Sequence, residues 1–304
     1  MLDILIPVYN VERYVGRCLD SILNQSCQDY RVIIVNDAST DDSIEIVRRY
    51  EDKFKDKLLI FENATNCGLS YTRNRLVQLA TSEYFIFVDS DDSLNSKLVE
   101  VLANVINSSK NAEPLDLIRF QSLLIKAGQP TVNKYDSPIF SGLCGEEALL
   151  TFLEADKIFA QSWMYCYRRK FFVDNNFLFP IGRVQEDFAL TFKVIFLAKR
   201  VTSISYEGYN YYRNPNSIME NKSREMSLVK AYDVLFHYDA MVVFFENTNF
   251  FKKHKELFLS FIGKAVIVKL KYLDDDDFNK FMEEIRKRKI DEYNSDYLKS
   301  FLDT

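Results

Sequence analysis

Four short apolar runs punctuate the start of the chain: "DILIPVY" (3–9), "RVIIVND" (31–37), "KLLIFEN" (57–63) and "YFIFVD" (84–89). Between them apolar residues recur at helical spacing, as in Val11, Tyr14, Val15, Cys18, Leu19, Ile22 and Leu23, and again in "LSYTRNRLVQLA" (69–80). This alternation limits the chain to few architectures. Continuous apolar runs rich in β-branched residues suit strands buried on both faces. The intervening segments read as helices that bury one side. Strands alternating with helices imply an α/β fold, a mostly parallel sheet covered by helices. Asn10 is a candidate cap for the first helix, and Ser39 and Thr40 for a second carrying Ile44 and Val47.

The middle of the chain is less regular. "LDLIRF" (115–120) reads as a strand and "GEEALLTFL" (145–153) as a helix; "QEDFALTFKVIFLAKR" (185–200) is a helix with an acidic start and a basic end, as its dipole favours. After about residue 222 proline is absent and amphipathic helical pattern runs to the end, interrupted near "DDDD" (274–277). The expected organisation is therefore 1–110, 111–221 and a helical C-terminal extension over 222–304. A net charge of −5 argues against a nucleic-acid partner. Five scattered cysteines with no CxxC indicate neither a zinc ribbon nor a disulfide framework, which fits a reducing, cytoplasmic setting. The N-terminus reads as a strand rather than a signal peptide, and no apolar run reaches the roughly 20 residues a bilayer span needs.

The unusual chemistry sits at the strand ends. The first strand ends in Pro7, Tyr9 and Asn10, and the second in Asn36 and Asp37. The third is followed by Asn63, Asn66 and Gly68, and the fourth ends in Asp89, Ser90, Asp91 and Asp92. In a parallel sheet these sets share one edge, where ligands of such sheets bind. A ring can stack on a base, and Asp37 can accept a hydrogen bond from a base N–H. The carboxylates of 89–92 repel one another unless a hard divalent cation sits among them. Each piece also has a plainer reading: Ser93 with its acidic neighbours as a helix cap, Asp37 and Ser39 as turn residues, Tyr9 as packing. Motifs for a P-loop, a dinucleotide fold, a zinc protease and a nucleophile elbow are all absent. His237 and His254 read as surface or packing residues of the tail.

Together, "ILIPVYN", "VIIVNDASTDDS", "NCGLSYTRNRL" and "FIFVDSDDS" closely resemble, in order and spacing, the family-2 inverting nucleotide-sugar glycosyltransferases of the GT-A (Rossmann-like) fold. Downstream, "SWMYCYRRKFF" (162–172), "GRVQEDFALTF" (182–192) and "YNYYRNPNSI" (209–218) are similar to second-half motifs of bacterial polysaccharide-type members. The resemblance implies a nucleotide-sugar-binding half over 1–110 and an acceptor-binding, catalytic half over 111–221. Pro7 and Tyr9 would line a uracil pocket, and Asp37 would bind the ring. Asn10, Asn66 and Ser90 would belong to the same donor site, and Arg73 would lie near the base or diphosphate. Asp89 would contact ribose or metal, and Asp91 would ligate Mn2+ or Mg2+ directly. Asp187 would be the catalytic base, with Glu186 secondary. Trp163 would flank the donor or acceptor sugar, and Arg213 would steady the departing diphosphate. The chain departs from the family where relatives commonly carry glycine in place of Ala38. It also shows Trp163, Met164 and Tyr165 where W-N-K is frequent.

The expected reaction moves a sugar from a UDP-sugar to a hydroxyl of a glycan or lipid-linked saccharide. A metal on one side of the sugar offsets leaving-group charge, and a carboxylate on the other takes the acceptor's proton. Two alternatives belong to other classes. A Mg2+-dependent nucleotidyl- or phosphotransferase would need a glycine-rich, basic loop after the first strand, and "PVYNVERY" has none. A non-catalytic sugar-nucleotide-binding protein is weighed against by the intact Asp89, Asp91 and Asp187. For the tail, the readings are a cover for the catalytic domain, a homodimer contact, or a peripheral dock on an anionic membrane face.

Overall fold

A computed structural model describes residues 1–109, 112–126, 129–130, 136–214 and 221–302. Among these residues ten strands form one sheet: β1 Leu2–Val8, β2 Tyr30–Asn36, β3 Leu58–Glu62, β4 Tyr84–Phe87, β5 Ser93–Leu94, β6 Leu117–Lys126, β7 Gln129–Pro130, β8 Phe140–Leu143, β9 Tyr165–Arg168 and β10 Val201–Tyr212. Their order is β3-β2-β1-β4-β9-β6-β10-β5, with β7 on β6 and β8 on β10. The first four expected strands are present, and β3-β2-β1-β4 are mutually parallel. Every residue of β1 is buried, which is why its sequence is apolar without alternation. β9 then enters antiparallel between β4 and β6, so the second half is mixed rather than parallel.

Because β1 sits between β2 and β4, the chain crosses over in opposite senses on its two sides. In doubly wound sheets the carboxyl ends of the strands at such a reversal, here those of β1 and β4, are where ligands are held. Pro7 lies inside β1, opposite Val35 of β2. Tyr9, Asn10, Asp37 and Asp89 all fall just past strand ends at this edge.

Several expected caps do other work. Asn10 adopts φ 51 and caps no helix. Its Oδ1 accepts from Thr40 N at 2.8 Å, and its own N donates to Ser39 Oγ at 3.1 Å. Ser39 and Thr40 are thereby spent in lacing two loops together. The helices begin later, at Val15–Leu23 and Ser43–Arg48, without side-chain caps. Ser93 is in β5 rather than at a cap; the next helix is Leu98–Ser108. The expected 185–200 helix is shorter, Asp187–Leu197.

The tail is helical as expected, with Arg224–Phe245, Asn249–Ile267 and Asp275–Lys287 as its longest elements. Asp274 caps the last of these through Asp277 N, which accounts for the interruption at 274–277. Phe192 and Phe196 of the Asp187–Leu197 helix meet Phe258 and Phe245 edge-on, so the tail shares a core with the sheet-bearing part. His237 is fully buried, whereas His254 is half-buried at a kink. Among the described residues no helix is long and apolar enough to cross a membrane.

Ala38 carries φ 57, the left-handed region. That conformation costs an alanine about 1–2 kcal/mol, against about 0.5–1 kcal/mol of extra backbone entropy for glycine. Ala38→Gly is therefore expected to stabilise the protein by about 0.5–1 kcal/mol, read from the urea midpoint. A loss of stability would show that the Ala38 methyl makes contacts worth more than the strain.

Candidate active site

The helix Leu69–Leu79 starts after Gly68 and carries Arg73 inward, where the residue is 2% exposed. Its guanidinium sits between the rings of Phe87 and Phe179, 5.8 and 5.5 Å from their centroids. One nitrogen donates to Asp89 Oδ1 at 2.7 Å, and the other to Glu186 Oε1. Burial opposes the charge, but the two carboxylates outweigh it and hold the arginine protonated. Arg73 thus joins the third and fourth sequence motifs to "QED" across 113 residues of chain.

The acidic strand end resolves into three different fates. Asp89 is paired with Arg73. Asp92 is 1% exposed and turned inward, accepting from the Tyr209 hydroxyl and the Tyr212 amide, each at 2.7 Å. Burial, then Asp91 and Asp89, push its carboxyl well above the usual range. Asp91 is half-buried, and among the described residues its Oδ2 receives Asn214 Nδ2 at 3.3 Å. Burial and the neighbouring Asp89 raise its pKa as well, so a cation beside it would be favoured. Among the described residues no group of three or more His, Cys, Asp or Glu side chains could hold a metal. A site built on Asp91 therefore fits Mg2+ or Mn2+ only in the manner of ions that take one or two carboxylates and complete their shell with water and substrate phosphate.

The residues expected to form a base pocket are arranged around the neighbouring turn. Asp37 is 3% exposed and accepts from Asn63 Nδ2 at 2.6 Å, Cys67 N at 2.9 Å and Gly68 N at 2.8 Å. Three of a carboxylate's roughly four acceptor positions are used to brace the entry to the Arg73 helix. Tyr9 is 45% exposed just past β1, and Asn66 is exposed, with its Oδ1 accepting from Gly68 N. Ser90 is buried, and Arg213 is exposed just after β10. The 215–218 end of the "YNYYRNPNSI" motif lies outside the described residues. Trp163 is buried against Tyr209 and Tyr211, with ring centroids 4.3 and 5.6 Å apart. It stacks on Tyr209, which links Asp92 to the Asp89 amide.

Glu186 ends the loop before the Asp187–Leu197 helix, and Asp187 is its first residue. Asp187 Oδ2 accepts from Ser162 N at 3.2 Å. Burial first, and Glu186 second, raise the Asp187 carboxyl to about 7, with Arg73 opposing them. A half-buried carboxyl poised near neutrality is suited to accept a proton. Glu186 is raised by burial and held in check by Arg73.

The sequence pattern does not single out Arg17, Asn214, Tyr209 or the inward role of Asp92. Arg17 donates to the Asp91 carbonyl and lies 3.5 Å from the Tyr212 ring centroid. Its place on the outer face of an amphipathic helix offers no signal. Tyr209 and Asn214 lie inside a quoted motif from which only Arg213 stands out as charged.

Comparison with known proteins adds three kinds of likeness. Residues 3–113 match the family model described as glycosyl transferase family 2. A poly(ribitol-phosphate) beta-glucosyltransferase of Bacillus spizizenii is 30% identical over 223 residues, 69% of this chain and 32% of that enzyme. The chain thus spans about a third of that relative's length. The S. aureus TarS fragment 1–349 with UDP-GlcNAc superposes with a TM-score of 0.64 at 21% identity, covering 96% of this chain and 89% of that one. A mannosyltransferase from Pyrobaculum calidifontis with GDP-Man and Mn2+ does so with a TM-score of 0.59 at 16% identity, covering 89% and 73%.

Arg73→Met leaves the buried Glu186 and the half-buried Asp89 unpaired and is expected to cost about 3–5 kcal/mol. Asp91→Asn relieves repulsion and is expected to leave stability unchanged or slightly higher. Urea titrations showing equal losses in both variants would contradict this division of roles.

Proposed function

The chain belongs to glycosyl transferase family 2 through residues 3–113 and has the GT-A fold; from that premise we propose that it transfers a sugar, with inversion, from a UDP-sugar to a hydroxyl of a glycan or lipid-linked saccharide, on the cytoplasmic side of a bacterial surface-polymer pathway. The observation that carries the reading is the Asp89–Arg73–Glu186 bridge, which sets a donor-side carboxylate cluster opposite a carboxyl poised near neutrality.

In this reading the edge at the carboxyl ends of β1 and β4 takes the nucleotide. Tyr9 stacks on the base, with Pro7 behind it in β1. The remaining acceptor position of Asp37 meets the ring N–H, while its other positions keep the 63–68 turn in place. Asn10, Asn66 and Ser90 line the nucleotide, and Asp89 approaches the ribose. A divalent cation, Mn2+ or Mg2+, held by Asp91 with Asp89 beside it, would offset charge on the diphosphate. Arg213 lies on the same side. Asp187 takes the proton of the acceptor hydroxyl as its oxygen bonds to the anomeric carbon. The bond from that carbon to the diphosphate oxygen breaks, and UDP departs with the bonding pair. Glu186 and Arg73 hold Asp187 in place and set its basicity. The indole of Trp163 supports the site through Tyr209 instead of touching the sugar.

The direct test is UDP release from a panel of UDP-sugars, with and without EDTA, by wild type and Asp187→Asn. Asn retains the hydrogen bond to Ser162 N and loses basicity, so kcat is expected to fall at least about 10²-fold with UDP affinity nearly unchanged. Undiminished turnover in EDTA would remove the metal from the scheme; undiminished turnover in Asp187→Asn would remove the base.

The pH dependence has a definite sign. The active form of Asp187 is the anion, so kcat should decline as pH falls through about 7. Glu186→Gln removes the second cause of the raised pKa and leaves Arg73 opposite fewer anions, so the acidic limb should move to lower pH. A limb that stays in place or moves up would show that Asp187 does not govern it.

A further inference from the structure

We infer that Asp233 and His237, on the tail helix Arg224–Phe245, are positioning residues for the Glu186–Asp187 pair, so that the helical extension is part of the support of the reaction centre. The inference rests on the reading of Asp187 as the base. Its starting point is Val184, two residues before Glu186. The Val184 amide donates to Asp233 Oδ2 at 2.8 Å. The Val184 carbonyl accepts from His237 Nε2 at 3.0 Å. Asp233 and His237 are one helical turn apart, so a single helix face grips both polar groups of one loop residue. The preceding residue adds a third tie: Arg183 Nη1 donates to Asp233 Oδ1 at 2.8 Å, and its guanidinium lies 4.4 Å from the Phe236 ring centroid.

The grip is buried and specific. Asp233 is 4% exposed and His237 is fully buried, among Val234, Leu235, Tyr238 and Met241 on the same helix. Packing alone would be served by apolar side chains at these two positions, because a buried carboxylate and imidazole cost desolvation free energy unless each is matched. What they match is the main chain at one place. Immediately after Val184, Gln185 adopts φ 55 before the chain enters Glu186. A non-glycine residue holds that conformation only when its surroundings over-determine it. The anchors on either side do so: Val184 on the tail helix, Glu186 on Arg73, and Asp187 on Ser162 N. Since the carbonyl accepts, His237 carries its hydrogen on Nε2. Its Nδ1 has no hydrogen-bond partner among the described residues. The ring is therefore a neutral donor fixed in one tautomer.

If the tail helix sets where Asp187 stands, loosening the grip should cost turnover more than donor binding, because a shift of about 1 Å at a reacting group can cost on the order of 10²-fold. The test is steady-state turnover of the donor chosen by the UDP-sugar panel, using the full chain, alongside UDP titration and thermal melts. Asp233→Ala and His237→Leu are expected to lower kcat by about tenfold or more with UDP affinity within about twofold of wild type. His237→Gln keeps an N–H donor on the side chain and is expected to return kcat to within about threefold. Variants that melt earlier but turn over like wild type when folded would overturn the inference, since that is what packing alone predicts. Should Asp233→Ala fail to fold, the His237 pair decides: equal kcat in His237→Leu and His237→Gln overturns it. Asp187→Asn run in parallel separates the two readings. Wild-type turnover there means that the base assignment has failed, whatever the tail variants do. Loss there with unaffected tail variants means that only the positioning role has failed.

Discussion

A buried guanidinium between two carboxylates holds the two halves of the sheet-bearing region in register. Arg73 reaches Asp89 at the end of β4 and Glu186 at the entry to the Asp187–Leu197 helix, with phenyl rings around it. Such a group is stable only as a set, because removal of one partner leaves a charge that the interior cannot solvate. The chain meets this demand from three remote segments, so the set can close only when the whole domain is folded. The carboxylates at the end of β4 and the Asp187 carboxyl are consequently brought close by the fold itself.

The same bridge explains why carboxylates can crowd one region. Five acids, Asp89, Asp91, Asp92, Glu186 and Asp187, lie in it, and burial raises the pKa of Asp91, Asp92, Glu186 and Asp187. They are treated differently by their neighbours. Asp89 and Glu186 share the arginine. Asp92 is matched by Tyr209 and the Tyr212 amide inside the protein. Among the described residues Asp91 accepts one long amide contact and Asp187 one backbone N–H. These are the two carboxyls that the proposed reaction needs, one beside the leaving group and one facing the acceptor.

Much of this was legible in the sequence, and the limits follow from physics. β1, β2 and β4 are buried on both faces and β3 is partly buried at the sheet edge, so their apolar runs read as strands, and the polar residues beyond them share one edge. Caps were less readable. Asn10, Ser39 and Thr40 have the chemistry of helix caps, but their hydrogen bonds are made across loops about thirty residues apart in sequence, which no local pattern records. Asp92 looks like Asp91 in one dimension; only the position of Tyr209, 117 residues away, turns it inward. The stacking of Trp163 on Tyr209 of β10 joins residues 46 positions apart, which its type and motif do not announce. Arg17 has no sequence signal, because an arginine on the outer face of an amphipathic helix is the ordinary case.

The tail shows where a motif-based reading stops. Its sequence announces helices and little else, since the residues that reach the centre, Asp233 and His237, are isolated polar positions in an apolar pattern. Placed in the fold, they face the one loop that must turn through a left-handed residue to deliver Glu186 and Asp187. Arg73 holds that loop from the sheet side and the tail helix holds it from the other. A loop fastened on one side only could relax the strain at Gln185 by swinging away from the other anchor. Fastened on both, it has one position open to it, and that position fixes the distance between the acidic strand end and Asp187.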